Sequence, residues 1–352
     1  MKFIKLNGSQ KLIETPDFTK VPVLEKLDLE DCISLCQIHP SISVLKKLTL
    51  LNLKGCKNLV SLSNKFAMES LEILILSGCS KLKRIPEFEV NMKQVLKLYL
   101  DGTIITKLPT SIGNLTGLVS LSARDCKNLM SLPITFFNMK SIKDVDFFGC
   151  SRLEYLGTVE SVEEFDKSGT SIRPIFSSNS LFKTLKKLAF GRFKPRSPYP
   201  MGLLSTYPLC WTSLIKLNLS NCNLRVISDD IGRLSSLKEM YLSGNSFVCL
   251  PDSIGKLSNL TWMDLDNCTS LRSLPNLPIN IDYVRGFGCT SLEIVPNLLK
   301  PNSSCEPRIY FTDCPKLAEN QTCIDIFLAR IKKHHQVSLS PLSFYLSVSI
   351  CS

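Results

Sequence analysis

Histidine is scarce in this chain: His39, His334 and His335 are the only three in 352 residues, and none of the 15 cysteines is spaced C-x-x-C from another. These absences remove the ligand spacing of zinc sites and leave little imidazole for acid–base work. No stretch reads GxxxxGK(S/T), so no phosphate-cradling loop of that kind is present. The N-terminus, MKFIKLNGSQK, lacks the apolar run of about seven residues or more that a secretory signal carries. The tail, VSLSPLSFYLSVSICS over 337–352, is broken by serines and Pro341 and is too short and too polar to span a bilayer. A soluble protein of the cytoplasm, with the nucleus as a second compartment, is the expected setting, with no membrane partner.

What the chain does have is apolar residues, 44% of the total, enough for a large core. Its net charge is +11, yet no signature of a nucleic-acid-binding module accompanies that charge, and nucleic acid is not an expected partner. The stretches LEKLDLEDC (24–32), LTLLNLKGC (48–56) and LEILILSGC (71–79) superimpose residue on residue. Their frame, L-x-x-L-x-L-x-x-(C/N/T/S), recurs with its ninth position at Ser9, Cys32, Cys56, Cys79, Thr103, Cys126, Cys150, Thr170, Phe193, Cys222, Asn245, Cys268, Cys289 and Cys314. A spacing of mostly 23 or 24 residues with this leucine frame is the signature of leucine-rich repeats. The expected fold is an α/β solenoid of about 14 repeats, with a parallel β-sheet on the concave face and short helical or irregular convex segments.

One unit shows the physics. Leu27 and Leu29 alternate with Lys26, Asp28 and Glu30, the period of a strand with one buried face. Proline-containing stretches such as KLPTSIGNL and CLPDSIGKL then suit an irregular return, because proline fixes φ and gives up a donor. The ninth residue turns inward at the strand end, where a small side chain able to offer a weak donor to a carbonyl is wanted. Nine cysteines sit there, but threonine, asparagine and serine take the same place, so the position calls for packing rather than sulfur chemistry. No catalytic, metal or cofactor residue is expected, and the chain does not read as an enzyme.

The combination LxLxxCxxLxxLPxxIxxLxxL, with LPTSIGNLTGL (108–118) and LPDSIGKLSNL (250–260), resembles the repeats of plant intracellular immune receptors. The opening FIKLNGSQKLIETPDFTKVPVLEKLDLEDC and the closing YFTDCPKLAENQ are similar to the repeat region of TIR-type nucleotide-binding disease resistance proteins. The resemblance covers roughly 1–333 and implies a protein-recognition module for plant defense. Its implied partners are a pathogen effector or guarded host protein, and the nucleotide-binding switch domain of the parent receptor, which it would hold off. With neither a P-loop nor a TIR segment in the sequence, the chain is expected to be a fragment of such a receptor. A generic leucine-rich-repeat interaction scaffold outside immunity is the alternative. The expected layout is a solenoid over 1–317 with an irregular insertion at 191–213, a C-terminal capping helix over 318–336 and a flexible tail over 337–352.

Exposed strand positions lie six, four and two residues before each ninth position. In the last repeats they hold Tyr241, Trp262, Asp264, Asp266, Tyr283, Arg285, Phe287, Arg308 and Tyr310. Aromatics with arginine among them are what interface hot spots are made of. The competing reading is that the rings stack on one another and merely finish the sheet. A weaker candidate set is Lys97, Tyr99, Arg124 and Phe148, and the insertion adds Arg192, Lys194 and Arg196. The seventh and eighth repeats place Asp144, Asp146, Glu164 and Asp166 in the same columns as an acidic stripe.

Overall fold

A computed structural model describes residues 1–137, 139–153, 155–158, 184–191, 211–296 and 308–320. The chain divides into two compact units, Met1–Leu188 and Ala189–Ser352. In the first, short strands stack side by side in parallel: Phe3–Lys5, Lys26–Asp28, Leu50–Asn52, Ile73–Ile75, Lys97–Tyr99, Ser120–Ser122 and Asp144–Asp146. The central residue of each points inward, so Leu27, Leu51, Leu74, Leu98 and Leu121 make a continuous core column. No repeat can bury that leucine alone, which is why the fold exists only as a stack.

Each strand ends in the same way. The residue before the ninth position is left-handed throughout: Gly8, Asp31, Gly55, Gly78, Gly102, Asp125 and Gly149 all have positive φ, between 55° and 82°. Only glycine and, less easily, asparagine or aspartate accept that conformation. The turn tips the ninth residue inward, and its thiol reaches a carbonyl of the preceding repeat. Cys32 Sγ donates to the Leu6 carbonyl at 3.0 Å, Cys56 to Leu29 at 3.2 Å, Cys79 to Leu53 at 3.2 Å and Cys126 to Leu100 at 3.1 Å. Burial pushes the Cys56 and Cys79 thiols up to about 12, so these sulfurs are weak donors and not nucleophiles. The packing role expected for the ninth position is the one observed.

The return path behaves as the prolines suggest. His39 caps a 3₁₀ turn over Pro40–Val44, and Pro109 precedes another over Thr110–Asn114. Their isoleucines, Ile42 and Ile112, are buried. RIPEFEVNM instead contributes the two-residue strand Glu87–Phe88, paired with Lys65–Phe66.

The repeat count requires a correction. Lys143 and Asp144 both donate to the Val119 carbonyl, at 2.8 and 3.1 Å; Lys186 and Lys187 then donate to Lys143 in the same pattern, at 2.7 and 3.0 Å. The strand Lys187–Ala189, which lies across the division between the units, thus follows Asp144–Asp146 directly. The expected repeat ending at Thr170 supplies no strand between them. Its frame explains why: the sixth position, leucine, phenylalanine, alanine or glycine in every other repeat, is Lys167, and a lysine ammonium is costly at a core site. Glu164 and Asp166 lie outside the described residues, so the acidic stripe is reduced to Asp144 and Asp146.

In the second unit Lys216–Asn218, Glu239–Tyr241, Trp262–Asp264, Tyr283–Arg285 and Arg308–Tyr310 repeat the arrangement in parallel register. Turns of 3₁₀ type over Asp229–Arg233 and Asp252–Lys256 follow the same proline or serine signals. A five-residue α-helix, Pro315–Glu319, buries Leu317 and spans the expected solenoid boundary at 317. The rest of the helix expected over 318–336 and the tail 337–352 lie outside the described residues from 321 on, as does the insertion 191–213 between 192 and 210.

Candidate functional site: the exposed strand face

The strand face of the second unit carries an aromatic stack. Trp262 and Tyr283 sit opposite each other in register, with ring centroids 3.9 Å apart and planes only 2° from parallel. Tyr241 and Tyr310 stand two positions further along their strands and meet the pair on the diagonal. Tyr241 lies 6.5 Å from Trp262, and Tyr310 lies 5.1 Å from Tyr283. The four rings are half-buried, and each adjacent pair contributes on the order of 0.5–1.5 kcal/mol beyond burial. The structure therefore realises the stacking alternative, with the stack left open to solvent on its outer side. Trp262 Nε1 is buried and has no hydrogen-bond partner among the described residues.

The charged residues around the stack are largely committed. Arg285 Nε meets Asp266 Oδ2 at 2.7 Å, while Asp266 Oδ1 accepts from the Phe287 amide at 2.8 Å. Asp264 Oδ1 accepts from the Asp266 amide at 3.0 Å. Burial, and to a lesser degree the neighbouring Asp266 charge, raises the Asp264 carboxyl above its ordinary value. Both acids thus brace the strand ends. Phe287, at 44% exposure, and the exposed Arg308 are the residues of the predicted set most open to a partner.

Sequence reasoning missed Lys216 and Glu239, which flank the stack. Lys216 Nζ sits 4.6 Å from the centroid of the Tyr241 ring and 2.8 Å from Glu239 Oε2, and the Tyr241 hydroxyl donates to Glu239 at 2.9 Å. Their signal was present: both stand six residues before a ninth position.

In the first unit the weaker set divides. Arg124 lies 5.1 Å from the Phe148 ring centroid and pairs with Asp146 at 2.8 Å. Lys97 and Tyr99 stand on another strand, in register with Ile73 and Ile75. Ile73, Ile75 and Leu50 form a half-buried aliphatic spot that sequence reasoning passed over. Arg192, Lys194 and Arg196 lie outside the described residues. Among the described residues no group of three or more His, Cys, Asp or Glu is placed to hold a metal ion, and no helix is long and apolar enough to cross a membrane.

A stack of short parallel strands, left-handed turns and inward rungs, presenting an open face in place of a pocket, defines a leucine-rich-repeat solenoid, a protein-interaction scaffold. Family models agree: residues 66–191 match the leucine-rich repeats described as disease resistance protein RPS4B-like, and 212–269 match the general leucine rich repeat. The chain is 36% identical to TMV resistance protein N of Nicotiana glutinosa over 342 residues, covering 93% of this chain and 28% of that protein. It is also 36% identical to disease resistance-like protein DSC1 of Arabidopsis thaliana over 98% of this chain, and 34% identical to disease resistance protein RPP2B of the same plant over its whole length. The chain belongs to the plant disease resistance protein family, as a leucine-rich-repeat region of its TIR-type nucleotide-binding class. It spans less than a third of the length of these relatives, 28–30%.

Proposed function

We propose that this chain is the protein-recognition part of an intracellular plant immune receptor. Its strand face reads a pathogen effector or a guarded host protein and, before that, makes an autoinhibitory contact with a nucleotide-binding switch domain. The observation that supports this most is the open stack of Tyr241, Trp262, Tyr283 and Tyr310 with Phe287 and Arg308 beside it. Four aromatics on the solvent side of a sheet add little to the core beneath, whereas rigid rings with few rotamers suit an interface. The work is recognition, without chemistry of its own.

The test pairs the full chain with the portion of TMV resistance protein N that lies outside the matched segment, by affinity measurement in trans. Replacing Tyr241, Trp262 and Tyr283 with alanine is expected to abolish the binding, with a stability loss of about 0.5–1.5 kcal/mol per ring pair. Unaltered binding together with a core-sized loss of about 3–5 kcal/mol per residue would return the rings to packing.

A further inference from the structure

One flank of the first unit is predominantly basic between Lys57 and Arg152, with Glu14 and Glu154 at its two ends. The residues that follow each ninth position leave the strand and bond repeat to repeat. Cys36 N donates to Ile13 O at 2.8 Å, Val60 N to Cys36 O at 3.2 Å and Met130 N to Thr106 O at 2.9 Å. Gln37 bridges to Ser61, and Lys107 to Ser131, in parallel. Side chains of these segments therefore share one side of the stack. Lys57 stands in one segment, Lys81, Lys83 and Arg84 in the next, and Lys107 and Lys127 in the two after it, all exposed. Arg152 completes the series; no carboxylate occurs in 56–61, 79–84, 103–108 or 126–131, and Glu154 is the one acid of 150–155.

This is not the charge balance of the rest of the unit. Elsewhere Lys46 meets Glu69 at 3.5 Å, Lys54 meets Glu30 at 2.7 Å, Lys65 meets Glu89 at 3.4 Å and Arg124 meets Asp146 at 2.8 Å. On the flank none of the cations forms an ion pair with a described residue. The corresponding segments of the second unit mix the signs: Arg225, Arg272 and Lys316 stand with Glu293 and Glu319, Lys316 meets Glu293 at 2.8 Å, and Lys194 and Arg196 lie outside the described residues. Repeats about 4.8 Å apart thus give a partner lying across them several unmatched cations within a few strand widths, closer together than the Debye length of about 8 Å at physiological salt. Between the cations stand exposed aliphatics: Val60 at 50% and Met130 at 44% exposure. Segments 56–61, 79–84, 103–108 and 126–131 hold no aromatic residue, Tyr155 in the last segment is the single ring, and five of the seven cations are lysine.

We propose that this flank docks an acidic polypeptide segment bearing aliphatic side chains, independently of the strand-face reading above. Carboxylates meet the lysines, and the partner's aliphatics cover Val60 and Met130. Single-stranded nucleic acid is disfavoured, because four successive flank segments offer its bases no ring to stack on, and lysine does not grip phosphate with the two-pronged geometry of arginine.

The test is fluorescence anisotropy of the full chain with three probes: a labelled peptide alternating glutamate and leucine, a single-stranded oligonucleotide, and vesicles rich in phosphatidylserine. The expected result is binding to the peptide in preference to the other two, weakening steeply as salt rises. A Lys81→Glu, Lys83→Glu, Arg84→Glu variant should lose about tenfold or more in affinity without loss of melting temperature, since every change is exposed. Val60→Ser with Met130→Ser should weaken the peptide and leave the oligonucleotide unchanged, while Arg285→Glu on the strand face should change neither. Tighter binding of the oligonucleotide or the vesicles, or indifference of the peptide to the charge reversals, overturns the proposal.

Discussion

Replacing Asn245 with cysteine should destabilise the second unit severely, although cysteine is the commonest residue at that place in the repeat. Asn245 is 1% exposed and makes four hydrogen bonds. Its Oδ1 accepts from the amides of Cys222 at 3.1 Å and Leu224 at 3.0 Å, and its Nδ2 donates to the carbonyls of Leu219 at 2.9 Å and Leu242 at 2.7 Å. A cysteine restores the bond to Leu219, as Cys268 does to Leu242 at 3.3 Å, but it takes away the Oδ1 acceptor of two buried amides. At about 1–3 kcal/mol for each buried amide that loses its acceptor, the expected loss is roughly 2–6 kcal/mol, against a total that for such domains is about 5–15 kcal/mol. Asn245→Ala should cost at least as much, because it loses the donor as well. Urea denaturation followed by far-UV circular dichroism gives the total, and amide exchange at Cys222 and Leu224 gives the location. A loss below about 1 kcal/mol with undiminished protection at both amides would refute the reasoning.

Two further perturbations separate causes that act together in the fold. Gly149→Asn should destabilise by about 1–3 kcal/mol even though asparagine tolerates left-handed backbone, because a Cβ there meets Asp125 Oδ1. Adding Asp125→Gly should recover much of that loss in the melting temperature, and failure of the double variant to recover would place the whole cost in the backbone. Iodoacetamide near pH 8, close to the ordinary thiol pKa of about 8.5, should label the exposed Cys36 and Cys249 well before Cys56, Cys79 and Cys268, whose thiols burial holds up at about 12. Equal labelling rates in the folded chain, read by peptide mass, would contradict the buried-rung assignment.

The repeat was legible because leucine at two fixed positions and a small residue at a third leave no other way to bury the side chains. The ninth-position residues looked interchangeable, and at Cys32, Cys56 and Cys79 they do one job, a single donor to a carbonyl. Asn245 shows the limit of that view, since only the structure reveals that its acceptor side holds two amides of the repeat before it. The Thr170 unit was misread because Val162, Phe165 and Thr170 fit three of the four frame positions, while Lys167 at the remaining one outweighs them. On the strand face the columns read as exposed are so at Arg285, Phe287 and Arg308, half-buried at the four rings and Asp264, and buried at Asp266, which is 8% exposed because it is drawn into the strand end by Arg285 and the Phe287 amide. Diagonal contact between Tyr241 and Trp262, however, depends on side-chain reach across a staggered pair, which no column count supplies. Asp264 and Asp266 looked available for a partner because their amide bonds two residues along, and one strand across, are a property of turns, not of composition.

The left-handed turn limits how such a chain can change by gain or loss of repeats. In the second unit that position reads Asn221, Gly244, Asn267, Gly288, Asp313, a strict alternation. The reason is spatial: a Cβ on Gly244 would meet Asn221 Oδ1, and one on Gly288 would meet Asn267 Oδ1. In the first unit, too, Asp31 and Asp125 are each followed by a glycine. Duplicating a repeat that carries asparagine or aspartate there, or deleting the glycine repeat between two of them, would set two side chains against each other, whereas glycines in succession are accommodated, as Gly55, Gly78 and Gly102 show. Duplicating a pair preserves the order. A repeat bearing asparagine or aspartate there can therefore be added without repair elsewhere only together with a glycine repeat, and a lineage that varies its strand face by recombination would be expected to add such repeats in pairs and glycine repeats singly.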